Sequence, residues 1–90
     1  MRVYIHNEKD NVAVALEDLK PGERIKISKG GFEVGIEIKQ EIPFGHKIAL
    51  EKIKAGEKVV KYGEVIGMAT SDINPGEHVH VHNLKSLKYT

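Results

Sequence analysis

The chain has 90 residues, 14 of them basic and 13 acidic, for a net charge of +1, and only 6% are aromatic; this provides neither the basic face nor the stacking platforms that a nucleic-acid partner requires. The absence of cysteine excludes disulfides, thiolate metal sites and cysteine nucleophiles. No apolar run approaches the roughly 20 residues of a membrane span and Met1-Arg2-Val3-Tyr4 is too polar to open a signal peptide, so the expectation is a cytoplasmic protein with no membrane partner.

A hydrophobic content of 40% is ordinary for a globular protein. The length predicts one small domain, residues 1–90, with too little material to wall a deep cleft by itself. Any deep site is therefore expected to be shared with another chain.

The first strand is predicted over Val3-Tyr4-Ile5-His6, ending at Asn7. Asp10-Asn11 is a turn signal, and Val12-Ala13-Val14-Ala15-Leu16 is an apolar run with Val12, Val14 and Leu16 on one face if extended. A phrase then occurs three times: an apolar anchor (Leu19, Ile53, Ile73), one residue, Pro or Ala, Gly, Glu, one residue, then Ile or Val. Each copy reads as a corner. The anchor plugs the core, the glycine turns the chain where φ is positive, and the glutamate launches a strand. Asp18 and Asp72, just before two of the anchors, read as local turn caps.

Between the first two copies, Ile25 and Ile27 belong to one strand and Gly30-Gly31 to a hairpin turn. Phe32, Val34, Ile36 and Ile38 alternate with Glu33, Gly35, Glu37 and Lys39, the pattern of a half-buried strand. Pro43-Phe44-Gly45-His46-Lys47 is a further turn, leading into Ile48-Ala49-Leu50. Val59-Val60-Lys61-Tyr62 runs to Gly63, and Val65-Ile66-Gly67-Met68-Ala69 is another short strand. In the tail, Leu84, Leu87 and Lys88 have helix-like spacing over too few residues to stand alone. The predicted class is mainly β, with short strands and single helical turns at the repeated corners.

Chemistry concentrates in Glu77-His78-Val79-His80-Val81-His82-Asn83. The two-residue period places His78, His80 and His82 on one face of a strand, with Val79 and Val81 packed on the other. Imidazole is both a metal ligand and a proton acceptor near neutral pH. Alternate residues on a strand are separated by roughly 6.6 Å and residues four apart by roughly 13 Å, so all three converge on one ion only if the strand bends. A ligand from elsewhere, such as His46, or from a partner chain is otherwise needed. His46 and Lys47 follow Gly45, where a turn exposes both; Lys61 and Tyr62 offer an ammonium and a phenol for a carboxylate; His6 reads as an isolated structural or surface residue. The bland alternatives are a solvated histidine edge, a basic loop tip and an amphipathic strand end.

Asp10-Asn11-Val12-Ala13-Val14-Ala15-Leu16, Gly45-His46-Lys47-Ile48-Ala49-Leu50, Lys61-Tyr62-Gly63 with Ile66-Gly67, and Gly76-Glu77-His78-Val79-His80-Val81-His82-Asn83 resemble, in this order, the amino-terminal SAF domain of the altronate dehydratase family. The resemblance covers nearly the whole chain and extends to the small subunit of sulfolactate sulfo-lyase and to galactarate dehydratase. It implies a β-clip fold and a lyase of carbohydrate-acid metabolism that eliminates water, or sulfite, next to a carboxylate with a divalent metal, Fe(II). On that reading His46, Lys47, His80 and His82 are catalytic, Lys61, Tyr62 and Asn83 bind the substrate, and His78, His80 and His82 hold the metal. The chain stops at Thr90 without the dehydratases' much longer carboxyl-terminal domain, and its start at Met1 favours a small subunit working with a separately encoded large catalytic subunit on a small hydroxy acid. A homo-oligomer is compatible with this. The competing class is a non-catalytic module that binds a sugar acid or docks on its partner.

Overall fold

In the computed structural model the described residues are 2–29 and 31–86. They form nine strands: β1 (Val3–Tyr4), β2 (Val12–Ala15), β3 (Arg24–Lys29), β4 (Phe32–Glu37), β5 (Lys47–Ala49), β6 (Lys58–Lys61), β7 (Glu64–Ala69), β8 (His78–Val79) and β9 (Leu84–Ser86). No helix occurs among the described residues, so the mainly β class holds and the helical turns expected at the corners do not. The corners close as tight turns because their glycines take positive φ, +91° at Gly22 and +88° at Gly56, which ends a right-handed helical turn before it can begin.

The strands make a four-stranded antiparallel sheet of order β1-β2-β5-β8, a β3-β4 hairpin, and a three-stranded sheet of order β6-β7-β9. Both faces of the four-stranded sheet are covered. Ala13, Ala15 and Ile48 join one core with Leu19, Ile42 and the buried end of the hairpin, while Val12, Ala49 and Val79 join a second with Ile53, Ile73, Val59 and Ala69. This two-sided burial explains the continuous apolar run of β2, which lacks a clean alternation.

The three copies of the phrase each form a corner, and a fourth corner forms where the phrase is incomplete. Ile42-Pro43-Phe44-Gly45-His46-Lys47-Ile48 is a corner of the same build, with Gly45 at φ +85°. The corners associate in pairs: Leu19 and Ile42 exchange both backbone hydrogen bonds, at 2.8 and 2.9 Å, as do Ile53 and Ile73, at 2.8 and 2.7 Å. Each corner glycine donates its N–H to the strand leading into the partner corner: Gly22 to Ile38, Gly45 to Ala15, Gly56 to Ala69 and Gly76 to Ala49. The next residue's carbonyl accepts back from the same strand, with Glu23, His46, Glu57 and Glu77 accepting from Ile38, Ala15, Ala69 and Ala49. Each pair is thus a two-fold-like clasp, one under each core.

Asp18 and Asp72 do not cap their own turns. Their carboxylates accept from Phe44 N (2.9 Å) and Ala55 N (2.8 Å) across the clasp, because the paired corner is what approaches them. The β4 pattern is buried only at Ile36, with Ile38 just beyond the strand; Phe32, 75% exposed, and Val34 lie where the hairpin extends past the core. Leu84–Ser86, given helix-like spacing, pairs with β7 as a strand, because Gly67 lets the Lys85 backbone approach where any Cβ would collide with it. Leu87 and Lys88 lie outside the described residues.

Candidate functional site

The histidine row is not one straight strand. β8 ends at Val79 and the chain bends through 80–83. Asn83 holds the bend: its Oδ1 accepts from His80 N (2.9 Å), its Nδ2 donates to His78 O (2.8 Å), and its own N–H donates to His80 O (3.0 Å). The side chain is buried and its amide engaged with backbone at both ends. Val81 consequently does not pack beside Val79. It rides the outside of the bend at 82% exposure, while Val79 is fully buried.

The bend gathers the rings. His46, from the corner preceding β5, lies beside them because β5 pairs with β8, with Ile48 opposite His78 and Lys47 opposite Val79. His46 Nδ1 and His78 Nε2 share a hydrogen bond of 2.9 Å, one nitrogen donating and the other accepting. Ring centroids are 4.4 Å apart for His46–His80, 5.0 Å for His46–His78, 5.4 Å for His78–His80 and 5.3 Å for His78–His82. Among the described residues, one nitrogen each of His46, His78 and His80 lies within 4.8 Å of the others. The converging set thus takes His46 in place of the expected His82, whose exposed ring leans on His78 from outside.

The surroundings favour the neutral form of His78 and His80. Burial is the largest cause pushing His78 down to about 4, and His46, His82, His80 and Lys47 add to it in that order. His80 is lowered for the same leading reason, with His46, Lys47 and His82 contributing. Half-buried Lys47 is lowered by burial and then by Lys61, so two ammonium groups share the neighbourhood. Among the described residues neither lysine has a carboxylate partner. A set of three imidazoles without carboxylates suits a borderline divalent cation; the donor set therefore fits the metal that the sequence resemblance implies.

Lys61 and Tyr62 sit at the β6–β7 turn. The Lys61 Nζ lies 4.9 Å from the Tyr62 ring centroid. Tyr62 takes φ 57°, a strained value for a bulky residue, and Gly63 takes φ 73°. Asp10, buried to 1% exposure, holds this turn by accepting from Gly63 N (2.7 Å) and Asn7 N (3.2 Å). His6 is not isolated: its Nδ1 lies 2.9 Å from the Tyr4 hydroxyl, and its ring meets Tyr62 edge-on at 4.7 Å. The supporting residues missed in the sequence are Gln40, whose Oε1 accepts from His78 N (2.8 Å), and Asp10, legible only as a turn signal.

Residues 1–87 match the family model of the altronate/galactarate dehydratase SAF domain. The chain belongs to that SAF-domain family. Among relatives, it is 49% identical over 84 residues to an altronate dehydratase of Bacillus subtilis, covering 93% of this chain and 16% of that protein. It is 34% identical over 88 residues to a (2R)-sulfolactate sulfo-lyase subunit alpha of Chromohalobacter salexigens, covering 94% of each. A galactarate dehydratase of Escherichia coli is 40% identical over 79 residues, 86% of this chain and 14% of that protein. This SAF chain therefore spans about a sixth of the altronate dehydratases it matches. Among the described residues no helix is long and apolar enough to cross a membrane.

Proposed function

We propose that this SAF domain is the small subunit of a hydroxy-acid lyase of the altronate dehydratase type, acting with a large catalytic subunit to eliminate water from a sugar acid. The observation that carries the reading is the convergence of His46, His78 and His80 beside Lys47, in a family whose relatives are dehydratases and a sulfo-lyase subunit. The end-to-end match to a protein named as a subunit supports the two-subunit arrangement.

Elimination next to a carboxylate removes the α-hydrogen as a proton, and its electron pair becomes the new carbon–carbon double bond as the β-hydroxyl departs and is protonated to water. The resulting enol tautomerises to a 2-keto acid. In this proposal His46, His78 and His80 hold a divalent cation, Fe(II), which when bound stabilises negative charge developing on the substrate. A ring held neutral at pH 7 needs no deprotonation before offering its lone pair. In the same reading His82, outside the converging set, is the group that accepts or returns a proton. Lys47 and Lys61, with no carboxylate of their own among the described residues, provide positive charge for the substrate carboxylate beside the Tyr62 phenol. Asn83 acts by holding the bend.

The test is co-expression with the large subunit encoded nearest to this chain, followed by assay of elimination from altronate with added Fe(II). Product that depends on this chain supports the reading. Unchanged turnover in the His80→Ala/His82→Ala complex removes the catalytic role and leaves a docking module. A second reading, the small subunit of a sulfolactate sulfo-lyase, is favoured by the 94% coverage of that relative, and sulfite release from sulfolactate in the same assay selects it.

A further inference from the structure

The four corners share their backbone hydrogen bonds but not their side-chain chemistry. At three of them a glutamate reaches back to cap the N–H of the residue three earlier: Glu23 accepts from Lys20 at 2.7 Å, Glu57 from Lys54 at 2.6 Å and Glu77 from Asn74 at 2.6 Å. The contact resembles the reciprocal half of a helix capping box, and it occupies one carboxylate oxygen of each glutamate. At the fourth corner the equivalent of Lys20 is Pro43, which has no N–H, and the equivalent of Glu23 is His46. The two departures match. With no donor at position 43 there is nothing for residue 46 to cap, and replacing glutamate leaves no backbone group unsatisfied. The backbone of the corner is otherwise intact, with His46 N donating to Pro43 O at 3.0 Å as Glu57 N does to Lys54 O at 2.9 Å.

We infer that Pro43 is a positioning residue for His46. By deleting the backbone donor that the side chain at position 46 otherwise serves, it releases the imidazole to pair with His78, and so turns a structural corner into a corner of the site. The inference rests on the reading of His46, His78 and His80 as one functional set. It assigns a role to a residue outside the histidine set, and it explains why this corner alone carries histidine where the other three carry glutamate. Asp18, holding Phe44 N from the paired corner, fixes the same loop from its other side.

The experiment compares the wild-type chain with Pro43→Lys, His46→Glu and the Pro43→Lys/His46→Glu pair. Ring 15N chemical shifts report the His46–His78 hydrogen bond, thermal melting reports the corner, and titration with Co(II) alone reports the ligand set. Restoring the N–H with Pro43→Lys should abolish the His46–His78 pairing signature and weaken Co(II) binding about tenfold or more, the usual consequence of losing a support behind a ligand. The double variant should melt several degrees above His46→Glu alone, because only then does the carboxylate introduced at position 46 have an N–H to cap, and should bind no Co(II) at this site. Retention of the ring pairing in Pro43→Lys, or melting temperatures that are additive between positions 43 and 46, would overturn the inference and leave Pro43 as an ordinary turn residue. If the wild-type chain takes up no Co(II), the metal reading fails by itself, and the role of Pro43 is still decided by ring pairing and melting.

Discussion

His46 and Glu57 occupy the same position in two corners with the same backbone hydrogen bonds, yet one side chain supports its own corner and the other is turned outward to His78. Glu57 is structural because Lys54 presents an N–H to it; His46 is available because Pro43 presents none. The distinction between scaffold and site is made by a single backbone donor.

This distinction predicts opposite stabilities for two truncations. Glu57→Ala leaves Lys54 N without its carboxylate and should cost about 1 kcal/mol, a fall in Tm of roughly 4–8 °C for a domain this size. His46→Ala removes no cap and should stay within about 0.5 kcal/mol. Thermal melts of the two variants, run side by side, check the contrast; equal losses would mean that the His46 ring also holds its corner.

Much of the scaffold is readable in the chain because it depends on local rules. The anchor, the positive-φ glycine and the following strand mark the Leu19, Ile53 and Ile73 corners from residues close together in sequence. The Ile42 corner escapes that reading because its proline falls directly after the anchor and histidine replaces glutamate, so the two most visible letters of the phrase are missing. The site is less legible. The alternation of His78, Val79, His80, Val81 and His82 reads as a strand, but Asn83 satisfies the backbone of a bend instead and its effect acts over five residues. The approach of His46 to His78 depends on β5 pairing with β8 and spans 32 positions of sequence, and no local pattern specifies that register.

The bend makes a second contrast. Val79→Ser should cost about 2–3 kcal/mol, since it empties a fully buried site of methyl groups and leaves a hydroxyl in the core. Val81→Ser, on the exposed outside of the bend, should change stability by less than about 0.5 kcal/mol. Urea titration distinguishes them, and a large loss at Val81 would restore the straight strand that the alternation suggests.

Asp10 is the buried acceptor on which the Tyr62 turn depends. Asp10→Ala removes the acceptors of Gly63 N and Asn7 N together and should cost about 3 kcal/mol, lowering Tm by more than about 10 °C. Asp10→Asn keeps the shape and one acceptor oxygen and should fall between this variant and the wild type. With the strained φ of Tyr62 released, the Lys61–Tyr62 contact should also be lost, which the ring proton shifts of Tyr62 report.

The His78 ring predicts a pH dependence with a definite sign. Burial, and after it the nearby His46, His82, His80 and Lys47, lower it to about 4 in the folded chain, against 6.5 for the free group. Between those values the unfolded chain binds a proton that the folded chain refuses, so stability rises with pH across the window and is lost as pH falls from about 6.5 towards 4. Below the folded value both states are protonated and the loss from this residue is complete. The full shift would correspond to several kcal/mol, but the ring is only partly buried and solvent screening reduces the effect to the order of 1 kcal/mol. His80, lowered for the same reason, acts in the same direction. In melts with a chelator present, to exclude any metal contribution, wild-type Tm should drop several degrees more between pH 7.5 and 4.5 than that of His78→Gln, which has no proton to refuse. Parallel curves for the two proteins would show that His78 is not held neutral and that the cluster does not offer it as a ready lone pair at neutral pH.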